Sequence, residues 1–175
     1  VRGGAGKRVT AGRSSNLTVE SSLPAATEAN ISVSGGNGTG GSYRAGDTIT
    51  VSWNNTASGN TNADVAGVTV DFSAFGGGSA VAATNNGGTW SASYTLPAGA
   101  IDGSNLNASI TVTDDAGNKV TTADSSNLTV DSSLPTATDA HISVSGANGT
   151  GGSYRAGDTI TVSWNNTASG NTNAD

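Results

Sequence analysis

Residues 14–64 recur as residues 125–175, with 46 of 51 aligned positions identical at an offset of 111 residues. The differences are Glu20/Asp131, Ala25/Thr136, Glu28/Asp139, Asn30/His141 and Gly36/Ala147. A period of this length fits one small domain per repeat. The chain therefore divides into the last strand of one repeat (1–20), a complete repeat (21–131) and the first part of a following one (132–175). It starts and stops within the repeat, so a piece of a longer array is expected.

Inside the complete repeat the hydrophobic period is two. Ile49, Val51 and Trp53 share one face against Thr48, Thr50 and Ser52; Val68, Val70 and Phe72 alternate in the same way. So do Trp90, Ala92, Tyr94 and Leu96, and Leu106, Ala108, Ile110 and Val112. This is the pattern of half-buried strands, and no segment carries a helical period. Strands are predicted over 29–34, 47–53, 66–74, 79–84, 88–96, 105–113 and 118–130, separated by Gly- and Asn-rich turns. Seven short strands in about 100 residues predict an all-β, antiparallel β-sandwich. Trp53 and Trp90 belong to its interior, and Tyr43, after a glycine loop, is the aromatic expected at the surface.

The stretches "YRAGDTITVSW", "GGTWSASYTLPAGAIDGSNLNASITVTDDAGNKV" and "LTVDSSLPTAT" resemble the bacterial immunoglobulin-like repeats of giant surface adhesins, over the whole 111-residue period. The resemblance implies an immunoglobulin-like sandwich in an extracellular tandem array, with calcium at domain junctions.

The acids fall where such junctions lie. In the immunoglobulin strand order, the linker 20–28, the loop 54–64 and the turns 85–88 and 114–118 share one end of the sandwich. Asp114 and Asp115 are thus expected beside Glu20, Glu28 and Asp64. At the other end Asp102 is expected near Asp131. Clustered carboxylates without lysine partners repel one another unless neutralised. Calcium takes six to eight oxygen ligands, and Asn54, Asn55 and Asn118 offer further carbonyls. The candidate metal ligands are therefore Asp114, Asp115, Glu20 and Asp64, with a second, incomplete set at Asp102 and Asp131. The competing reading is that Asp-Asp-Ala-Gly-Asn is simply a good turn. Aligned with residues 112–124, residues 1–13 replace Asp114, Asp115 and Asp124 by Gly3, Gly4 and Arg13. Either the preceding repeat lacks the site, or those thirteen residues are not native sequence.

Charge narrows the partners. The chain carries 13 Asp+Glu against 7 Lys+Arg, a net charge of −6, and four of the seven basic residues lie in the first thirteen positions. Such a surface repels nucleic acid and anionic membranes. Without cysteine, disulfides and thiolate metal sites are excluded. No run of about 18 apolar residues occurs, so no membrane insertion by a helix is expected. The G-x-G-x-x-G match at Gly36, Gly38 and Gly41 precedes a strand pattern, where a dinucleotide site needs a helix. The single histidine, His141, is Asn30 in the other copy. No catalytic constellation appears, so an enzyme is not expected.

Two functions remain. The first is a structural spacer of a secreted or cell-surface adhesin, its partners the neighbouring repeats of the same chain, with any host or surface ligand held by other domains. Each sandwich would give roughly 35–45 Å of reach, from strands of ten to thirteen residues. The alternative is a ligand-binding module for a glycan, a host protein, or a mineral or ice surface, presenting the threonine-bearing face of residues 48–52.

Overall fold

The computed structural model describes residues 19–167 and 170. The Gly3/Gly4/Arg13 contrast lies outside the described residues. The alternating segments form strands, and the structure is all-β apart from short 3-10 turns. Among the described residues no helix is long and apolar enough to cross a membrane.

Two four-stranded sheets make the sandwich. The first contains β1 (Ile31–Ser34), β3 (Thr48–Asn54), β7 (Thr89–Thr95) and β6 (Thr84–Asn86), in the order β1-β3-β7-β6. The second contains β10 (Lys119–Ala123), β9 (Ser109–Asp114), β4 (Val65–Asp71) and β5 (Val81–Ala82), in that order. A third sheet, β2-β11-β8, joins β2 (Tyr43–Arg44), β11 (Leu128–Asp131) and β8 (Asp102–Leu106). The parallel pairing of β11 with β2 is its one parallel contact.

Period-two alternation places the core. Ile49, Val51 and Trp53 are fully buried on β3, facing Val68, Val70, Ile110 and Val112 of the second sheet within one cluster. The alternate residues of β3 and β7 point outward and pair their hydroxyls: Thr48–Thr95 at 2.9 Å, Thr50–Ser93 at 2.9 Å and Ser52–Ser91 at 2.8 Å. Trp90 lies opposite Trp53 in register but is only half-buried, because β7 is covered outward by nothing wider than the three-residue β6.

Three expectations are corrected. Tyr43 is not a surface residue: it is 3% exposed, because β2 sets it beside Val130 in the core. The predicted strands 105–113 and 118–130 are each cut in two. Residues 102–114 and 119–131 form one hairpin that breaks midway and passes from the second sheet to the third. The break has a local cause. Asp124 is buried and turns its carboxylate onto the Ser126 backbone N–H (3.1 Å) and hydroxyl (2.9 Å). Asn127 then takes φ +53°, a left-handed conformation that asparagine tolerates. Its N–H donates to Asn107 Oδ1 at 2.8 Å, and Asn107 Nδ2 donates back to its side chain at 2.9 Å. The predicted strand 79–84 likewise divides at Ala83, between β5 of one sheet and β6 of the other.

After β11, β12 (Ile142–Ser145) and β13 (Thr161–Trp164) form a separate antiparallel pair.

Candidate cation site at the domain junction

The incoming linker is held on the sandwich by side chains from three loops and from β10. Asn62 clamps Ala25 from both sides: the Ala25 N–H donates to Asn62 Oδ1 at 2.7 Å, and Asn62 Nδ2 donates to the Ala25 carbonyl at 2.8 Å. Asn60 Oδ1 accepts from the buried Trp53 indole at 2.8 Å and from the Thr27 N–H at 3.2 Å, so one amide ties the linker to the core. Thr122 donates its hydroxyl to the Ala26 carbonyl and Asn118 donates Nδ2 to the Ser22 carbonyl. Ser125 donates to Glu28 Oε1 at 2.7 Å, so Glu28 is engaged with the β10–β11 connection.

Against this anchored linker three carboxylates converge. One oxygen each from Glu20, Asp64 and Asp114 lies within 4.8 Å of the others. Each comes from a different element: Glu20 from the linker, Asp64 from the loop before β4, and Asp114 from the end of β9. Val65 and Asp114 are register partners, which brings the two strand ends together. Asp115 donates its backbone N–H to the Asp64 carbonyl at 2.9 Å, tying the turn to the loop. Its carboxylate is not one of the three.

Electrostatics separates Glu20 from Asp114. Glu20 is held above the usual carboxylate range, first by its hydrogen bond with Asp64, then by desolvation and by the charges of Asp64, Asp114 and Asp115. Asp114 goes the other way. Burial by itself raises its pKa, but the Asn118 side chain and backbone N–H, with those of Gly117 and Ala116, outweigh burial and hold it low. The Asn118 N–H lies 2.7 Å from Oδ1, and its Nδ2 lies 2.9 Å from Oδ2. Asp114 is thus a buried carboxylate, 2% exposed and held by hydrogen bonds, beside the more exposed Glu20 and Asp64.

The supporting asparagines do other work than expected. Asn54 Oδ1 accepts from the Thr56 N–H and hydroxyl, and Asn55 Oδ1 accepts from the Asn62 N–H and Nδ2. Both carbonyls shape the loop and are not offered to the cluster. Asn60 and Asn62, which sequence reasoning did not single out, hold the linker. The one signal for them was their place in the Asn-rich "GNTNAD" beside Asp64.

At the outgoing end, Asp102 and Asp131 face each other across β8 and β11. The Asp102 carboxylate is turned onto the outgoing linker. Oδ1 accepts the Ser132 N–H at 2.7 Å and the Ser133 N–H at 3.1 Å, and Oδ2 accepts the Ser133 hydroxyl at 2.5 Å. The Ser133 hydroxyl first, and then the Ser132 N–H, hold its pKa low. Asp131 lines an open groove of about 610 Å³ with Arg44, Leu134 and Pro135.

The model of the bacterial Ig-like domain family matches residues 25–132, more than half of the chain and the three sheets formed by β1 to β11. The chain belongs to the bacterial Ig-like domain family. Domains of this family are generally structural, non-enzymatic modules, commonly found on the cell surface or outside the cell. No match is found among curated proteins or among solved structures.

Proposed function

We propose that this bacterial Ig-like domain is a spacer unit of a secreted or cell-surface adhesin, stacked in tandem and stiffened by calcium at the junction of linker and domain. The observation that carries the reading is the convergence of Glu20, Asp64 and Asp114 on one point. The donor set is all carboxylate, the hard oxygen chemistry that calcium prefers, and a cation would relieve the repulsion among the charges of Glu20, Asp64 and Asp114 that lie together there. Glu20, Asp64 and Asp114 would each supply a carboxylate oxygen, Asp114 from a buried, hydrogen-bonded side chain. Asp115 is one residue away, so its carboxylate is the fourth candidate. Such an ion would join the linker to two strand ends and fix the angle at which a preceding domain is carried. By the 111-residue offset Asp131 takes the place of Glu20 at the next junction. With Asp102 committed to Ser132 and Ser133, Asp131 is the residue of that pair left for a cation.

The asparagine clamps make the linker partly rigid without any ion, which suits a spacer equally well. The ligand-binding alternative rests on the hydroxyl face of β3 and β7, but those hydroxyls already bond one another in pairs. The spacer reading therefore has the stronger support.

Isothermal titration with calcium tests the site. The chain should bind with a dissociation constant on the order of 10⁻⁴–10⁻³ M, the range of extracellular modules. Glu20→Gln with Asp64→Asn should remove the heat while leaving the fold in chelator intact, since neither side chain supports the core. Equal heats from parent and double variant would refute the assignment.

A further inference from the structure

The tripeptide Asn-x-Ser/Thr, the acceptor pattern for N-linked sugars when the middle residue is not proline, recurs along the whole chain. In a sequence this rich in asparagine, serine and threonine the pattern alone selects nothing. The structure separates the copies, because the atom that takes the sugar is the side-chain nitrogen Nδ2, and that atom must be accessible and uncommitted.

Most copies fail on that ground. Asn37 Nδ2 donates to the Gly35 carbonyl and to Asp47 Oδ1, both at 3.0 Å. Asn30 Nδ2 donates to Thr27 Oγ1 at 2.9 Å. Asn54 is packed against Gly59, where a Cβ would fall 2.7 Å from Asn54 Cγ. Asn148 and Asn165 repeat the contacts of Asn37 and Asn54. Asn107 Nδ2 donates to Asn127 Oδ1 at 2.9 Å.

Asn127 is the opposite case. Its backbone N–H donates to Asn107 Oδ1 at 2.8 Å, which fixes the Asn107 amide with its nitrogen toward Asn127. The Asn127 atom that meets this nitrogen must be an acceptor, so Oδ1 faces Asn107 and Nδ2 is turned away. Asn127 is exposed at the break between β10 and β11, and Thr129, which completes its tripeptide, is exposed where the register of β11 against β8 shifts. Beside them lies a cleft of about 310 Å³, lined by Asn127 and Thr129 together with Thr39, Gly40, Gly41 and Ser42. No charged residue lines it, and nothing stands within 4 Å of where a Cβ on Gly40 or Gly41 would project. That volume is at the lower end of the ~300–1,000 Å³ typical of small-molecule sites. Hydroxyls and bare backbone suit a small neutral polyol.

We propose that Asn127 is an N-glycosylation site on the folded chain and takes a single neutral hexose, seated in this cleft. In the transfer, Nδ2 bonds to the anomeric carbon of a nucleoside-diphosphate hexose. The bond from that carbon to the phosphate oxygen breaks, the nucleoside diphosphate leaves with the electron pair, and the amide proton passes to a base of the transferase. The tripeptide recurs as Asn16-Leu17-Thr18 at the 111-residue offset, so a tandem array would carry one such sugar per repeat. The inference does not depend on a cation at the junction.

Peptide mass spectrometry of the protein recovered from the cells that make it reads the site directly. One hexose residue should be found on Asn127, with Asn37, Asn54 and Asn107 unmodified. Thr129→Ala breaks the tripeptide while leaving Asn127 and its pairing with Asn107 in place, and should lose the hexose. Asn107→Asp tests the geometry: its carboxylate still accepts the Asn127 N–H but cannot donate, so Asn127 turns Nδ2 onto it. Occupancy of Asn127 should then fall several-fold although its tripeptide is intact, in protein whose circular dichroism matches the parent. An unmodified Asn127 in the parent would overturn the proposal. So would occupancy spread evenly over the tripeptides, or equal in Asn107→Asp and parent, since the pattern and not the fold would then choose the site.

Discussion

Asp47 shows how a single acid can be structural where sequence alone leaves its role open. It is 6% exposed, at the end of the glycine-rich loop 35–46, and accepts from the Asn37 N–H at 2.9 Å, Asn37 Nδ2 at 3.0 Å and the Arg44 N–H at 3.1 Å. Asp158 makes the same three contacts with Asn148 and Arg155 in the second copy. Burial raises the Asp47 pKa, but the donors of Asn37 and Arg44 outweigh it and hold the pKa low. Asp47→Ala should cost about 1.5–3 kcal/mol, the loss of hydrogen bonds to a charged acceptor. The sign of the pH dependence follows from linkage. A folded pKa below the unfolded value of about 3.9 means the unfolded state binds more protons in acid, so the contribution is complete above about pH 3.9 and is lost as pH falls through the lower folded value. Denaturation of parent and variant at pH 7 and near pH 3 should show the difference between them shrinking in acid. A gap that is constant with pH would mean that the carboxylate charge plays no part. The two tryptophans separate by burial in the same way. Trp53→Ala should cost about 3–5 kcal/mol, and Trp90→Ala less, because Trp90 is half-buried at the flank of the core. Equal costs in denaturant titration would contradict that placement.

At the scale of elements, strand existence was legible and strand continuity was not. Alternation depends on which face of a sheet a residue meets, and it persists when a strand bends from one sheet to another. Leu106, Ala108, Ile110 and Val112 therefore read as one strand although β8 and β9 lie in different sheets. The break is written in residues whose signal is local and polar: Asp124 capping Ser126, and Asn127 in the left-handed region. Asn127→Val should destabilise by about 1–2 kcal/mol, from the left-handed conformation alone, while Asn127→Gly should cost less. A valine variant as stable as the parent would show that the hairpin runs straight at this point. Tyr43 was misplaced for a related reason. A two-residue strand after a glycine loop has no period to read, and only its pairing with β11 brings the ring inward. The junction was half legible: the shared end of Glu20, Asp64 and Asp114 follows from strand order, but the roles of Asn60 and Asn62 depend on loop geometry that a chain rich in asparagine does not announce.

For the whole molecule, the bent hairpin of residues 102–131 links the second sheet to the third. Thirteen residues from Asp102 to Asp114 rise at most about 43 Å at 3.3 Å each, and the break between β8 and β9 shortens that span. The linker enters at one end, fixed by Asn60, Asn62 and Asn118, and leaves at the other, fixed by Asp102 and the buried Ser132. In the tandem array proposed above, load would pass through these hydrogen-bonded linkers at both ends of each sandwich. Calcium at the Glu20–Asp64–Asp114 junction would add a second fastening. At free calcium 100 times the dissociation constant it would contribute about 2.7 kcal/mol to the native state. The most direct test uses two complete repeats in tandem, with small-angle scattering recorded in millimolar calcium and again in chelator. The calcium-loaded pair should hold a longer maximum dimension and a narrower spread of interdomain angles. Chelation, or Glu20→Gln and Asp64→Asn together with the equivalent substitutions at the second junction, should shorten and broaden the distribution. Identical scattering in calcium and in chelator would contradict the account, leaving the three carboxylates as a solubilising surface on a linker that its asparagines already hold.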